Sequence, residues 1–362
     1  MKGDVLIMKK NIAIIFGGKS SEYEVSLRSA SFIIENIDRE KYNVIPLGIT
    51  KEGNWILYSG ETQNIANGTW VSHPQNVPAF LSPDKQISGL VAFFSEATRV
   101  INIDVIFPVL HGKNGEDGTI QGLFTLSGIP YVGCNCLSSA VCMDKAITHS
   151  LLNSANIEQA HYLWFYADRY VVDNQGIKEK ISARLNYPVF VKPANAGSSV
   201  GVTKVNCEEE LDNAVATASK EDIKILVEEG IVGKEIECSV LGNRDTVTAS
   251  VVGEIKAGAD FYDYDDKYKN GVSQTIIPAQ ISTECSEKVK NIALKAYRYL
   301  GCAGLSRVDF FVTDDEKILL NEINTLPGFT QISMYAKLWQ ASGVTAPELI
   351  QRLIDSAYNR YE

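Results

Sequence analysis

Two acids and two polar partners near the end of the chain are spaced so as to share one small volume. In the stretch from Leu305 to Phe329, LSRVDFFVTDDEKILLNEINTLPGF, alternation puts Ser306, Val308, Phe310 and Val312 on one face and Arg307 and Asp309 on the other. Asp314, Asp315 and Glu316 supply turn chemistry, and Ile318 to Asn324 alternates again with Glu322 and Asn324 on one side. A hairpin centred between Asp315 and Glu316 opposes Asp309 to Glu322 and Arg307 to Asn324. Like charges directly opposed on a ladder are unfavourable, so a compensating cation is expected. Two carboxylates and an amide oxygen suit Mg²⁺, which takes few protein ligands and leaves its other positions to phosphates and water. An exposed hairpin face with ordinary surface acids is the alternative.

Phosphate chemistry has its candidates upstream. The buried-type strand Tyr187 to Lys192 runs into Pro193-Ala194-Asn195-Ala196-Gly197-Ser198-Ser199 and then a second strand, Val200 to Val205. Such a loop either is a plain hairpin turn or lies over a triphosphate as a flap, offering backbone N–H groups, Ser198 and Ser199 while Lys192 and Lys145 neutralise phosphate oxygens. The strand Ile223 to Glu229 ends in two acids, Glu228 and Glu229, and carboxylates at such a strand exit are placed to bind an adenine amino group or ribose hydroxyls, work that Glu235 is placed to share. Phe261 to Tyr268, followed by Lys269-Asn270-Gly271, is too polar and aromatic for a core element and reads as a lid that orders over a ligand.

The elements that must position these groups begin with a βαβ unit: strand Asn11 to Phe16, a helix with Leu27, Ala30, Ile34 and Ile37 on one face, and strand Val44 to Ile49. GGKS at 17–20 is not a P-loop, because Ala13 stands where that motif needs glycine, and the GxGxxG spacing is absent too. What remains is a loop, Lys19 to Glu22, where open α/β sheets bind ligands. Glu22 either holds an ammonium group there or is an acid favoured by the helix dipole. Residues 50–100 are mixed and turn-rich. Strand Val105 to Leu110 leads into His111-Gly112-Lys113-Asn114-Gly115-Glu116-Asp117-Gly118, then a helix Thr119 to Ser127 and a short strand Tyr131 to Gly133, completing a doubly wound first domain. Further elements are helices Ser138 to Ser154, Glu208 to Ser219 and Val289 to Leu300, and a last helix with a capping box from Thr345 to Glu348 and a buried face of Leu349, Ile350, Leu353, Ile354 and Ala357.

Composition bounds the rest. A chain of 362 residues with 45% hydrophobic and 22% charged content is an ordinary globular protein of two or three domains. A net charge of −10 argues against general binding to nucleic acid or an anionic membrane. No apolar run approaches a membrane span, and Met1 to Lys10 lacks a signal-peptide core, so the cytoplasm is the expected compartment. Seven dispersed cysteines read as buried free thiols, and the four histidines are too scattered for a metal cluster.

The order of these features resembles the ATP-grasp superfamily and, more closely, the D-alanine:D-alanine ligases of peptidoglycan synthesis. The resemblance covers nearly the whole chain from Asn11 and rests on FGGKSSEYEVSL (16–27), LHGKNGEDGTIQG (110–122), MDK (143–145), VKPANAGSSVG (191–201), FYDYDDKY (261–268), GLSRVDFF (304–311) and NEINTLPGFTQISMY (321–335). It implies an α/β ATP-grasp fold of three domains: an N-terminal doubly wound domain, 1–136, bearing the first D-alanine site, and two α+β domains enclosing the nucleotide, 137–228 with the flap and 229–362 with lid, metal and oxyanion sites. It implies that Glu22 binds the first D-alanine's ammonium with Val25 and His111 beside it, and that Ser198 bonds Tyr268. Lys145, Lys192, Lys267 and Ser199 would meet ATP phosphates, Glu228 and Glu235 the nucleoside, and Asp309, Glu322 and Asn324 two Mg²⁺ or Mn²⁺ ions. Arg307 and the Gly328 N–H would face the oxyanion, which takes Arg307 out of the hairpin's charge balance, and Ser333 and Met334 would meet the second substrate. Tyr268 and Met334 favour D-alanine there over D-lactate or D-serine, the second substrates of related ligases of the same fold; a catalytically inactive nucleotide sensor is the reading from another class. A homodimer is the expected assembly. Ala336 departs from the family pattern, where proline is common.

Overall fold

The structure, a computed structural model, describes residues 8–243, 246–256 and 274–360. The lid stretch, with Lys267 and Tyr268, lies outside these. Among the described residues, three sheets carry the fold. The first contains β1 (Lys10–Gly17), β2 (Tyr42–Ile49), β3 (Trp55–Leu57), β4 (Val77–Leu81), β5 (Gly89–Phe93), β6 (Thr98–Asn102) and β7 (Val105–Val109), in the order β6-β5-β4-β3-β2-β1-β7. Only β2, β1 and β7 pair in parallel, as the buried runs of β1 and β7 and the helix Tyr23–Asn36 dictate. Residues 50–100, uninformative as a pattern, extend that sheet by four antiparallel strands, so it is mixed. Tyr131 makes only an isolated parallel bridge to Ile106.

The second sheet comprises β8 (Tyr162–Tyr166), β9 (Val189–Pro193), β10 (Thr203–Val205) and β11 (Lys224–Glu229), ordered β10-β9-β11-β8 and antiparallel throughout. The third comprises β12 (Lys234–Gly242), β13 (Thr248–Lys256), β14 (Gln274–Ile276), β15 (Gly304–Val312) and β16 (Ile318–Asn324), ordered β14-β13-β12-β15-β16. In the hairpin β15–β16, Asp309 pairs with Glu322 and Arg307 with Asn324, as alternation predicts. A bulge beyond Asp309 leaves Asn321 as the extra residue, so Phe310 pairs with Leu320 and the turn centres on Asp315. Glu316 takes the left-handed position of that turn, at φ 60°.

Several local expectations change. The helix expected over Ser138 to Ser154 breaks at Asp144, whose side chain accepts from the Ile147 N–H and starts a second helix, Lys145–Ser154. β10 starts at Thr203 because residues from Gly197 to Val202 are spent on turns. Helices Ala167–Val172 and Asn174–Arg184 had no clear pattern, and the helix before the hairpin is longer, Thr283–Tyr299. The last helix, Ala346–Asn359, buries the five residues expected, but Thr345 makes no side-chain cap and Glu348 pairs with Arg352 instead. Cys136 and Cys207 are exposed thiols, not buried ones. Among the described residues no helix is long and apolar enough to cross a membrane.

One core joins the two ends of the chain. Ile12, Leu27, Ala30, Ile34, Val105 and Phe107 pack with Tyr335, Trp339 and the buried face of the last helix. Truncating Leu353, fully enclosed there, to alanine should cost about 2–5 kcal/mol in urea unfolding; a loss below about 1 kcal/mol would show that this helix is not holding the core.

Candidate active site

Glu22 is fixed by backbone shape. Its Oε1 accepts from Ser198 Oγ at 2.6 Å, which joins the first sheet to the flap. Its Oε2 passes between two glycines: a Cβ on Gly112 would stand 2.4 Å from that oxygen and one on Gly197 2.7 Å. Gly112 also has φ +69°, and Ser198 and Ser199 hold φ of 50° and 58°, so the flap is a strained loop of the kind that gathers at functional sites. Lys145 Nζ donates to the flap carbonyl of Ala196 at 2.8 Å and stands 3.8 Å from Glu322.

The charge problem of the hairpin is larger than two acids. Glu237 of β12 pairs with Asp309, so Glu237, Asp309 and Glu322 form a row across three strands. Arg307 reaches Asp309 through two bonds of 2.7 Å and Glu237 at 3.0 Å. Burial alone would depress the guanidinium's pKa, but Asp309 and Glu237 outweigh it and raise it well above the usual value. Arg307 therefore does take part in the hairpin's charge balance, against the expectation that it would not. Asn324 Nδ2 donates to Asp309 at 2.9 Å and lies 3.4 Å from Glu322. Among the described residues no three His, Cys, Asp or Glu side chains converge on a point as a metal cage. Two carboxylates and one amide do cluster, a sparse set of hard donors that fits a cation sharing its sphere with phosphate and water.

The loop after β16 is strapped to the first sheet. Glu116 accepts from the N–H of Gly112 at 2.8 Å and of Leu326 at 2.9 Å. His111 Nδ1 donates to the Leu326 carbonyl at 2.8 Å, Ser29 donates to His111 Nε2 at 3.2 Å, and Ser29 in turn accepts from the Phe329 N–H at 3.1 Å. A neutral imidazole protonated on Nδ1 satisfies this ring, and burial, which lowers the His111 pKa more than the Glu22 charge and the Leu326 bond raise it, favours that form. Gly328 thus sits between two residues whose backbones are tied. Glu116 and Ser29 were missed from sequence because their partners lie 210 and 300 positions away.

Two cavities result. One of about 660 Å³ lies between the second and third sheets and is lined by Lys145, Lys192, Ser199, Glu228, Glu235 and Glu322, among others. The other, about 320 Å³, brings together Glu22, Val25, His111, Arg307, Asn324, Gly328, Ser333 and Met334. They meet at Ser198 and Glu322, which line both. Met334 is buried with Ile255 and Leu338. Asp309 is reached through Arg307 and Asn324. Glu228 is committed on both oxygens, to the Lys192 ammonium and the His149 ring. Burial would raise its pKa, yet the charges of Lys192 and His149 hold it well below the usual range.

A nucleotide-sized cavity between two antiparallel sheets, roofed by a strained flap and opening onto a second pocket, defines the ATP-grasp class. The family model described as D-ala D-ala ligase N-terminus matches residues 11–134 and that described as D-ala D-ala ligase C-terminus matches 151–355. A D-alanine--D-alanine ligase of Ruminiclostridium cellulolyticum is 52% identical, covering 98% of this chain and 96% of that protein. One of Clostridium acetobutylicum is 48% identical, covering 98% and 99%. Among solved structures, the VanG D-Ala:D-Ser ligase from Enterococcus faecalis is 42% identical with TM-score 0.89, covering 97% of this chain and 100% of that one. The D-alanine-D-alanine ligase from Coxiella burnetii is 33% identical with TM-score 0.84, covering 98% and 95%. The chain belongs to the D-alanine:D-alanine ligase family.

Glu116 carries a pH signature. Burial first and the nearby Glu22 charge second push its pKa from the ordinary 4.5 up to about 8. Folded, it keeps a proton that the unfolded chain has already lost, so its contribution to stability is full below about pH 4.5 and vanishes as pH rises through about 8. Melting temperature should therefore fall more steeply with pH in the wild type than in Glu116→Gln over that window; parallel curves would refute the assignment.

Proposed function

We propose that this chain is an ATP-dependent ligase that joins two D-alanines into D-alanyl-D-alanine through a D-alanyl phosphate, for peptidoglycan precursors in the cytoplasm. The observation that carries this is the junction of the two cavities at Ser198 and Glu322, where a carboxyl substrate in one would stand beside a phosphate donor in the other. The close relatives named D-alanine--D-alanine ligase support it. The first D-alanine lies with its ammonium on Glu22, next to Val25 and His111. Its carboxylate attacks the γ-phosphorus of ATP, the bond to the β-phosphate oxygen breaks, and Lys145 and Lys192 offset the charge, with Lys267 from the lid and the flap residue Ser199. Glu228 and Glu235 belong to the nucleoside end, and Tyr268 would close on Ser198. Asp309, Glu322 and Asn324 would hold Mg²⁺ or Mn²⁺, in two ions, which supplies electrostatic neutralisation of the phosphates.

The amine of the second D-alanine, lying against Ser333 and Met334, attacks the acyl carbon. Arg307 and the Gly328 N–H face the developing oxyanion, a type of contact worth roughly 3 to 4 kcal/mol. The tetrahedral centre collapses, inorganic phosphate leaves and the amine loses its proton. The 1–136, 137–228 and 229–362 division fits this split of labour, and a homodimer is the proposed assembly.

A second reading, D-alanyl-D-serine synthesis, is favoured by the likeness to a D-Ala:D-Ser ligase. The buried, apolar surroundings of Met334 favour D-alanine. A pocket of that kind rejects an added hydroxyl only about 100-fold. Phosphate release with ATP, Mg²⁺ and D-alanine alone should be robust, with kcat/KM for D-serine as second substrate about 10 to 100 times lower; preference for D-serine would reverse the assignment. Arg307→Ala should lower kcat about 100- to 1000-fold, and an unchanged kcat would remove Arg307 from the chemistry.

A further inference from the structure

His149 was passed over as an isolated histidine, but its surroundings give it a task. It lies buried on the helix Lys145–Ser154, stacked on Tyr162 with ring centroids 4.5 Å apart. Its Nδ1 faces Gln159 Oε1 at 2.5 Å. The orientation of that amide is settled by its nitrogen, which donates to the His149 carbonyl at 3.1 Å and to Asn153 Oδ1 at 2.8 Å. The other ring nitrogen, Nε2, meets a carboxylate oxygen of Glu228. Neither the amide oxygen nor the ionised carboxylate has a proton to give, so both ring nitrogens donate and the ring is an imidazolium.

Glu228 is thus one anion between two cations, His149 below and Lys192 at the cavity wall. A buried carboxylate with a single ammonium partner would resist losing it, because removal strands an unpaired charge in a dry site. With a second cation already in place, Lys192 can turn to an anionic ligand while Glu228 stays neutralised. We propose that His149 is a positioning residue for nucleotide binding: its imidazolium holds Glu228 so that Lys192 is released to the nucleotide. This rests on the reading of the larger cavity as the ATP site. The charged groups facing the ring are Glu228 from β11 and, through it, Lys192 from β9, while Tyr162 from β8 covers one ring face. At the start of its own helix, Asp144 is turned to Lys224 and Lys145 to Glu322.

The test is Mg-ADP affinity by calorimetry at neutral pH. His149→Gln should bind about tenfold more weakly than wild type, and His149→Lys, which keeps a cation, should restore affinity. In nucleotide-free wild type, nitrogen NMR should show both His149 ring nitrogens protonated at neutral pH, a readout independent of turnover and of how the variants fold. A single protonated nitrogen, affinity of His149→Gln within twofold of wild type, or a His149→Lys as weak as His149→Gln would each overturn the inference while leaving the ATP site intact. Failure of the wild type to bind Mg-ADP would overturn the ATP-site reading and this inference with it.

Discussion

A row of three carboxylates across neighbouring strands is the constraint around which the site is arranged. Adjacent strands lie about 4.8 Å apart, and at an effective dielectric of about 20 each like-charged neighbour costs roughly 3 kcal/mol. That exceeds what a cross-strand pair contributes, which is at most about 1 kcal/mol, so Glu237, Asp309 and Glu322 are tolerable only with cations at hand. Arg307 serves two of them and Lys145 approaches the third. Because Lys145 also holds the flap carbonyl of Ala196, the same electrostatic demand that organises the hairpin reaches the flap.

Backbone shape does the complementary work. Glu22 stays where it is because two chain segments, far apart in sequence, both forgo a side chain beside its Oε2. The loop through Gly328 stays where it is because its neighbours bond to the loop after β7 on one side and to the helix Tyr23–Asn36 on the other. Neither arrangement draws on packing alone; each uses hydrogen-bonded polar groups in a buried place, where an unpartnered one would be costly.

The acid pair and its register were legible because strand periodicity is two, and any slip would have moved Asp309 and Glu322 to opposite faces. The face of the last helix was legible for the same kind of reason. Illegible features are those decided at a distance. The Asn321 bulge leaves the acid register intact and shifts only the turn. Glu237 joins the row through a strand pairing about 70 residues away in the chain. The break at Asp144 is hidden because the apolar pattern runs on through it, although a cap residue followed by Lys145 was in plain view. His149 has no motif at all; its meaning lies in Gln159 and Glu228. The four antiparallel strands of residues 50–100 are short and half exposed, so their alternation never rose above the turns between them.

The core that joins the helix Tyr23–Asn36 to the helix Ala346–Asn359 has a bearing on how the molecule is made. Its two halves lie far apart in the sequence, so β1 and its helix cannot complete their apolar burial until the helix Ala346–Asn359 has been made. The second sheet closes through contacts among neighbouring segments and has no such wait. Closure of so long an intervening chain carries a large entropic penalty and slows folding. During synthesis the second sheet is able to mature before β1 and its helix complete their burial.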